Sequence, residues 1–204
     1  MPRTWCIFLG GIPAAGKTTL MHMLSERLGV PAFSKDAEKE VLFDRSGFSS
    51  WAEKVRLGDT AAEIIYDQAE QLMAAGQPFF LENNFERKDR ERLSSMLAKH
   101  DCMPVSLILT GDHSVIYERF VRRNLSQERH PGHVVNDFYP RPEPLSTEQR
   151  RSATPSLEDY CAGIVKRGME EPAVEGSCLR VDMTDPDAIN IDDILCWIRE
   201  KAGC

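Results

Sequence analysis

One short segment near the N-terminus constrains this chain more than any other. Residues Gly11–Thr18 read GIPAAGKT and match the pattern G-x-x-x-x-G-K-[ST] at every fixed position. This pattern is typical of the loop that holds the phosphates of a nucleoside triphosphate. Gly11 and Gly16 let the backbone turn tightly and direct N–H groups toward phosphate oxygens. Lys17 supplies a positive charge for the β- and γ-phosphates, and the Thr18 hydroxyl is a ligand for Mg²⁺.

The segments around this motif predict the arrangement that phosphate binding requires. Residues 4–9 are apolar and rich in strand formers, and apolar residues recur at helical spacing after the loop as far as Leu28. Gly29 stands where such a helix would end. Strand, glycine loop and helix therefore come one after another. The loop residues expected to bind the nucleotide are Gly11, Ala14, Ala15, Gly16, Lys17, Thr18 and Thr19.

Length and charge limit the class of protein. The 204 residues suffice for a single α/β domain with a full core, which we expect to span residues 1–204. The apolar content of 42% and the charged content of 28% are ordinary for a soluble globular protein. The net charge is −7 and no long basic run occurs, so the footprint of a duplex nucleic acid partner is missing. This observation does not exclude a small or single-stranded nucleotide substrate.

The sequence carries no signal for a membrane or a secretory route. It has no stretch of about 18 or more apolar residues, and its N-terminus runs directly into the first predicted strand. Six cysteines are present without a C-x-x-C pair, and several lie in apolar runs, where reduced cysteine packs as a small hydrophobe. We therefore expect a cytoplasmic protein with reduced thiols. The oligomeric state is left open.

Strand-like apolar runs alternate with helical segments along the chain. The predicted strands lie near residues 3–9, 30–34, 78–81, 105–110 and 178–181. The longest helix is predicted over about 52–75 and the last over about 189–201. This alternation predicts a mostly parallel sheet with helices on both faces. Ligands of such sheets bind beyond the carboxyl ends of the strands, so the residues after each strand are the candidates for chemistry.

A carboxylate comes after the second predicted strand. Asp36 stands directly behind Ser34 and Lys35, and the topology places it close to the triphosphate. A carboxylate there can accept the proton of an attacking hydroxyl or orient that hydroxyl. Lys39, one helical turn further on, shares its face and could hold an acceptor group or a phosphate. The alternative is that Asp36 only caps the helix, which Asp does well.

The third predicted strand ends in the polar residues Glu82, Asn83 and Asn84. An acidic residue at such a strand end lies near Mg²⁺ in enzymes with this loop, often through water, and Glu82 fits that role. Either asparagine could hydrogen-bond a substrate or simply form a turn. Arg87 lies near the same strand end, so we predict that it also contacts substrate.

A cluster of arginines opens a long segment without strands. The helix after the fourth predicted strand carries Arg119, Arg122 and Arg123, and Arg129 comes shortly after it. Such arginines could fold over the triphosphate and neutralise charge on the transferred phosphoryl group, although a charged run is usually a solvated face. The segment 124–155 contains five prolines, and we expect it to form a lid.

Two more positions are candidates for ligand contacts. His130 and His133 have the spacing of a metal pair, but no nearby cysteine or carboxylate completes a ligand set, so we predict no metal there. The loop after the fifth predicted strand, residues 182–186, should lie beside the nucleotide base. We expect Thr184 to contact the base from that loop.

Together these motifs resemble those of the small phosphate-loop kinases. The matching segments are residues 10–19 (GGIPAAGKTT), 33–36 (FSKD), 82–85 (ENNF), 119–120 (RF), 129–133 (RHPGH) and 181–185 (VDMTD). The group includes polynucleotide 5′-hydroxyl kinases, chloramphenicol phosphotransferase, gluconate kinases and zeta toxins. The resemblance covers almost the whole chain and is nearest to predicted ATP-binding kinases of bacterial genomes. Its motifs are specific for the group and not for a substrate.

The resemblance implies a fold and a reaction. The fold is that of the P-loop NTPases, with a five-stranded parallel core in the order 2-3-1-4-5 and an arginine-bearing lid. The reaction uses ATP with Mg²⁺ and transfers the γ-phosphate to a hydroxyl. Glu82 stands where several relatives have Asp, and the proline-rich part of the lid has no counterpart that we can place.

The resemblance and the strand-end positions together assign a role to each candidate residue. The residues expected to act in catalysis are Lys17, Asp36, Arg123 and Arg129, the last matching a lid arginine. Those expected to bind the nucleotide outside the loop are Arg119 and Thr184. Those expected to bind substrate are Asp36, Lys39, Glu82, Asn84 and Arg87. The expected ligands of Mg²⁺ are Thr18 and Glu82.

Three functions remain in competition at this point. A kinase that phosphorylates a hydroxyl of a small molecule is the leading one, and a polynucleotide or nucleotide kinase is the second. The third is a nucleotide-dependent switch that phosphorylates no acceptor. Guanine-specific GTPases usually carry N-K-x-D after a late strand, and the chain has no such sequence. The arginines and the carboxylate after the second strand favour transfer to an acceptor over hydrolysis.

Overall fold

A computed structural model describes residues 4–203. Within this range the strands are β1 (Trp5–Gly11), β2 (Ala32–Ser34), β3 (Phe79–Glu82), β4 (Met103–Thr110) and β5 (Ser177–Asp182). The α-helices are α1 (Lys17–Leu28), α2 (Lys35–Ser46), α3 (Trp51–Ala74), α4 (Arg90–His100), α5 (His113–Leu125), α6 (Pro131–Val134), α7 (Thr147–Ala153), α8 (Leu157–Arg167) and α9 (Ile191–Ala202). Two short 3-10 turns cover Arg87–Asp89 and Pro186–Ala188. The predicted start of the first strand at Arg3 lies outside the described residues.

All five strands are parallel, in the order β2-β3-β1-β4-β5, as predicted. The register aligns the carboxyl ends of the strands. Ser34 of β2 pairs with Glu82 of β3, and Glu82 pairs in turn with Leu9 of β1. The polar residues at the ends of these strands are therefore brought to one edge of the sheet. This edge is where the sequence predicts the ligand.

Two apolar layers cover the two faces of the sheet. Alternate residues of β1 point to opposite layers, with Ile7 and Leu9 in one and Cys6 and Phe8 in the other. The first layer is completed by α1, α5, α8 and α9, and the second by α3 and α4. The prediction of helices on both faces is confirmed. No helix in residues 4–203 combines the length and apolarity that a membrane crossing requires.

The segment 124–155 contains no regular strand among its residues, but it is not an irregular loop. It contains α6 and α7, and Val134, Val135 and Leu145 from it pack with Phe43 and Phe48 in a third apolar cluster. Tyr139 also forms an isolated β-bridge with Phe48. The segment is thus fastened to α2 and to the turn between α2 and α3. Motion of this segment as a lid would require these contacts to break, or would require α2 and the turn after it to move together with the segment.

Candidate active site

A cavity of about 530 Å³ lies at the edge of the sheet where β1 and β3 end. The predicted residues that line it are Ala14, Gly16, Lys17, Thr18, Thr19, Asp36, Lys39, Glu82, Asn84, Arg119, Arg123 and Arg129. These residues come from the loop after β1, from α2, from the end of β3, and from α5 and the segment after it. The structure therefore collects most of the candidate residues around one space.

Gly11 and Gly16 of the loop are required for different structural reasons. Gly11 has φ 124°, and a Cβ atom there would lie 2.1 Å from the carbonyl oxygen of Leu109 on β4. Gly11 does not line the cavity, so the close approach of β1 to β4 requires it, rather than a phosphate contact. Gly16 lies at the N-terminus of α1 with φ 89° and does line the cavity. Ala15 is also outside the cavity, because its side chain is buried in the core.

Lys17 is the buried cation of the loop. Its ammonium donates hydrogen bonds to the carbonyl oxygens of Gly11 and Ile12, each at 3.0 Å. Burial lowers the pKa of Lys17, and the negative charges of Glu82 and Asp36 oppose that shift. The ammonium is therefore held by neutral backbone acceptors of its own loop. An anion that enters the cavity can take the place of these acceptors.

Glu82 ends β3 as a buried carboxylate. It accepts hydrogen bonds from the hydroxyl of Ser34 and, at 3.4 Å, from the hydroxyl of Thr18. Burial raises the pKa of Glu82, although the Lys17 charge and the Ser34 hydrogen bond work in the opposite direction. Thr18 and Glu82 thus present a hydroxyl and a carboxylate side by side. Oxygen ligands of this kind are those that Mg²⁺ prefers.

Asp36 lies in the first turn of α2 and not at its cap. Ser34 occupies the N-cap position, and its hydroxyl bonds to Glu82 instead of capping the helix. The side chain of Asp36 is 49% exposed and faces Arg129. Burial among the groups of the site acts to raise the pKa of Asp36, but the positive charges of His133 and Arg129, together with those of two lysines, hold it below its usual value. The capping alternative is therefore not what the structure contains.

The three arginines of α5 separate into two groups. Arg119 and Arg123 line the cavity, whereas Arg122 is exposed and lies outside its lining. Arg119 donates to the carbonyl oxygens of Met183 and Thr184. Burial and the neighbouring charge of Arg129 lower the pKa of Arg123 to about 10. The helical spacing alone leaves open which of the three faces the cavity.

Arg123 and Arg129 carry unused hydrogen-bonding capacity. In each, the Nε atom is buried and has no hydrogen-bond partner among the described residues. Buried donors are rarely left unpaired in proteins, and guanidinium groups bind phosphate well. Together with the loop cation Lys17 and the oxygen pair of Thr18 and Glu82, they form a donor set that fits a magnesium-bound triphosphate.

Two predicted contacts lie elsewhere in the structure. Arg87 does not line the cavity, because its guanidinium pairs with Glu171 and donates to the carbonyl oxygens of Val165 and Lys166 at the end of α8. Thr184 also lies outside the lining, and its hydroxyl accepts the N–H of Asp112 at 2.8 Å. Arg87 therefore fastens α8 to the turn after β3, in place of a substrate contact.

Several lining residues were not among the predicted ones. They are Pro13, Lys35, Glu86, Phe120, His133 and Arg167, and Asn83, the alternative candidate to Asn84, also lines the cavity. Lys35 adjoins Asp36, and Asn83 adjoins Asn84 at the same strand end, so both carried a sequence signal. Asn83 is tied down by donating to the Tyr66 hydroxyl at 3.1 Å. Arg167 carried no such signal, because only the packing of α8 brings it to the cavity.

His133 links the segment 124–155 to α2. Its Nε2 atom lies 2.8 Å from Oε1 of Glu40, and burial lowers the pKa of the imidazole while the Glu40 contact opposes the shift. Lys54 of α3 donates to the carbonyl oxygens of His133 and Val135. His130 is engaged separately, with Nε2 3.1 Å from Oδ1 of Asp44. These contacts set the position of the segment that carries Arg129.

Comparisons with known proteins agree with this fold. The AAA_33 family model, described as an AAA domain, matches residues 6–145. A candidate kinase of known structure from Chloroflexus aurantiacus J-10-fl is 29% identical, with a TM-score of 0.73 over 98% of this chain and 96% of the other. No similar sequence was found among proteins of curated function.

Two more distant structures share the fold. Shikimate kinase from Bacteroides thetaiotaomicron is 14% identical, with a TM-score of 0.54 over 98% of this chain and 99% of the other. A sugar kinase from Janibacter sp. HTCC2649 is 16% identical, with a TM-score of 0.50 over 98% and 95%. The resemblance to the small phosphate-loop kinases is confirmed in family and in fold.

Proposed function

This chain belongs to the AAA_33 family of AAA domains, and we propose that it is an ATP-dependent kinase that phosphorylates a hydroxyl group of a small molecule. One observation carries the proposal. The same cavity contains the Lys17 and Thr18 side chains of the phosphate-binding loop, the carboxylate of Asp36, and the guanidinium groups of Arg123 and Arg129. Phosphoryl transfer needs these three parts: a phosphate cradle, a group that receives the hydroxyl proton, and cations for the transferred group.

The cradle would form at the loop and the start of α1. Lys17 would exchange its two backbone acceptors for phosphate oxygens, and the N–H groups around Gly16 would face the same phosphates. Thr18 and Glu82 would hold Mg²⁺, which would offset the negative charge of the phosphates. Arg119 would contact the nucleotide from α5.

Asp36 would act on the acceptor hydroxyl. The low pKa of Asp36 keeps it ionised near neutral pH, so that it can accept a hydrogen bond from the hydroxyl and orient its oxygen. As the acceptor oxygen bonds to the γ-phosphorus, the bond from that phosphorus to the β–γ bridging oxygen breaks. The hydroxyl proton passes to Asp36, and the guanidinium charges of Arg123 and Arg129, which line the same cavity, would offset charge on the transferred group.

The alternatives differ in the step that comes after nucleotide binding. A polynucleotide kinase would phosphorylate the 5′-hydroxyl of an oligonucleotide. A switch would bind nucleotide without transferring a phosphoryl group to any alcohol. The position of Asp36 supports transfer, because a switch needs no carboxylate for an acceptor hydroxyl.

The test is ATP consumption against a panel of sugars, nucleosides, aminoglycosides and a 5′-hydroxyl oligonucleotide. We expect one class of small alcohol to raise the rate well above the rate without acceptor, and Asp36→Asn to abolish that rise. Glu38→Gln is the matched control, because Glu38 lies on the same helix outside the cavity lining. Phosphorylation of the oligonucleotide alone would favour the polynucleotide kinase. Nucleotide binding with no acceptor-dependent turnover would favour the switch.

A further inference from the structure

The cavity has a charge opposite to that of the whole chain. The protein carries a net charge of −7. Seven lysine and arginine side chains line the cavity, against three carboxylates. The cations are Lys17, Lys35, Lys39, Arg119, Arg123, Arg129 and Arg167, and the carboxylates are Asp36, Glu82 and Glu86. So strong a local excess of positive charge in an acidic protein needs anions to balance it.

A magnesium-bound triphosphate would balance only part of this charge. Such a complex carries about two negative charges in total, because the metal offsets half of the charge of the phosphates. The cations already assigned to it are Lys17, Arg119, Arg123 and Arg129. The cations that remain are Lys35, Lys39 and Arg167. Of these, Arg167 forms an ion pair with Glu86. Positive charge is therefore left over on the side of the cavity that α2 and α8 form.

Lys39 is available to a ligand. It lies one turn after Asp36 on α2, and its side chain packs on the bare backbone of Gly58, with its Nζ atom 5.4 Å from the centre of the Phe43 ring. Among the described residues its ammonium makes no hydrogen bond and no ion pair within 4 Å. Burial lowers the pKa of Lys39, although the Asp36 carboxylate opposes the shift. A partly buried ammonium without a bonded anion is costly unless a ligand supplies one.

Arg167 approaches the same region from the end of α8. Its Nε atom donates to the carbonyl oxygen of Gly163 at 3.1 Å, and Nη1 lies 3.5 Å from Oε1 of Glu86. Its Nη2 atom makes no hydrogen bond within residues 4–203. Its charge also acts on Lys39, because it contributes to the lowered pKa of that ammonium. Lys39 and Arg167 are therefore two cations of one pocket, contributed by two separate helices.

This arrangement indicates which class of acceptor the cavity would bind, on the premise that the proposed kinase function is correct. We propose that the acceptor is an anionic alcohol whose carboxylate or phosphate group binds to Lys39 and Arg167 while its hydroxyl reaches Asp36. Two features of the site match such a molecule. The carboxylate of Asp36, which would meet the hydroxyl, and Lys39 lie on one face of α2. Arg167 approaches them from α8. A neutral alcohol would leave the ammonium of Lys39 without an ion pair and would not use the free Nη2 donor of Arg167.

The first experiment measures anion binding without any need to know the acceptor. The protein is saturated with the magnesium complex of a nonhydrolysable ATP analogue, and inorganic phosphate, glycerate and glycerol are then titrated by NMR. We expect saturable binding of phosphate or glycerate and none of glycerol. Lys39→Gln and Arg167→Gln should each weaken anion binding by about tenfold or more, the scale for losing a hydrogen bond to a charged group. Lys166→Gln is the control, because Lys166 is exposed next to Arg167 but outside the lining.

The second experiment compares turnover for matched sets of acceptors. Each set contains a neutral alcohol, its acid and its phosphate ester: glycerol, glycerate and glycerol 3-phosphate, or glucose, gluconate and glucose 6-phosphate. We expect the best acceptor to be anionic, and the set shows whether a carboxylate or a phosphate is preferred. KM for that acceptor should rise in Lys39→Gln and Arg167→Gln, with little change in KM for ATP.

Two results would overturn this inference while leaving the proposed function intact. One is that neither anion binds saturably to the nucleotide-loaded protein, or that binding is unchanged in both variants. The other is a neutral alcohol as the preferred acceptor. Failure of the proposed function looks different, because the ATP analogue itself would not bind, or no acceptor at all would stimulate ATP consumption.

Discussion

Nη2 of Arg129 lies 3.5 Å from Oδ2 of Asp36, so the arginine that precedes α6 faces the first turn of α2 across the cavity. Nη1 of the same guanidinium lies 3.9 Å from Oε1 of Glu40. Arg129 thus bridges two carboxylates of α2. A transferred phosphoryl group would compete with Asp36 for this arginine. The pair links the position of the segment 124–155 to the carboxylate proposed to meet the acceptor.

Removing the charge of Asp36 should separate catalysis from binding. We expect Asp36→Asn to lower turnover by about 10²-fold or more, the scale for losing a general base, and to leave ATP affinity within a few-fold. Turnover and ATP affinity should be measured on the same preparation, with Glu38→Gln as the control. Equal losses in turnover and affinity would assign Asp36 a structural role.

Arg129→Ala should lower turnover far more than it weakens ATP binding. An arginine that acts on charge developing in the transition state contributes to kcat rather than to ground-state affinity. Arg122→Ala provides the matched control, because Arg122 is exposed on α5 and does not line the cavity. Normal turnover in Arg129→Ala, or an equal loss in Arg122→Ala, would contradict the role of Arg129.

Lys17→Met should abolish measurable phosphoryl transfer while the protein stays folded. The methionine keeps an apolar chain of similar length but removes the charge that faces the phosphates. Circular dichroism and the unfolding temperature report the fold, and titration with an ATP analogue reports nucleotide binding. A folded variant with normal turnover would exclude Lys17 from phosphate binding. An unfolded one would show that its hydrogen bonds to Gly11 and Ile12 are structural.

Glu82 should make stability depend on pH in nucleotide-free protein. Its pKa is raised in the folded state, chiefly by burial, so the unfolded chain loses its proton more readily. This carboxyl therefore reduces stability as the pH rises above its ordinary value of about 4.5, and the effect levels off above its folded pKa. The unfolding temperature of Glu82→Gln minus that of the wild type should increase between pH 4.5 and pH 8. A difference that stays constant or shrinks over this range would refute the shift.

Lys54 should hold the segment 124–155 in place. Its side chain is buried and donates to the carbonyl oxygens of His133 and Val135 and to Oδ1 of Asn136. In Lys54→Met we expect faster hydrogen exchange of amides in residues 131–136, with the exchange of β1 and β4 unchanged. Lys88→Met is the control, because Lys88 forms an exposed pair with Asp59. Unchanged exchange in Lys54→Met would show that the apolar cluster alone fixes the segment.

Local sequence patterns predicted the α/β fold class and the centre of the candidate site. The motif ending in Lys17 and Thr18 depends on spacing along one short loop, and the periods of strands and helices depend on residues close in the chain. Both kinds of signal are local, so they can be read without the fold. The strand order came from the family resemblance, because periodicity alone does not say which parallel strands are neighbours.

Which helix side chains reach the cavity became clear only from the folded chain. Arg122 and Arg123 are adjacent in sequence, yet one is exposed and the other lines the cavity, because successive residues of a helix point about 100° apart. Arg87 is turned away by its pairing with Glu171, whereas Arg167 is brought in by the packing of α8. These outcomes depend on contacts between residues distant in sequence, and no local pattern contains them.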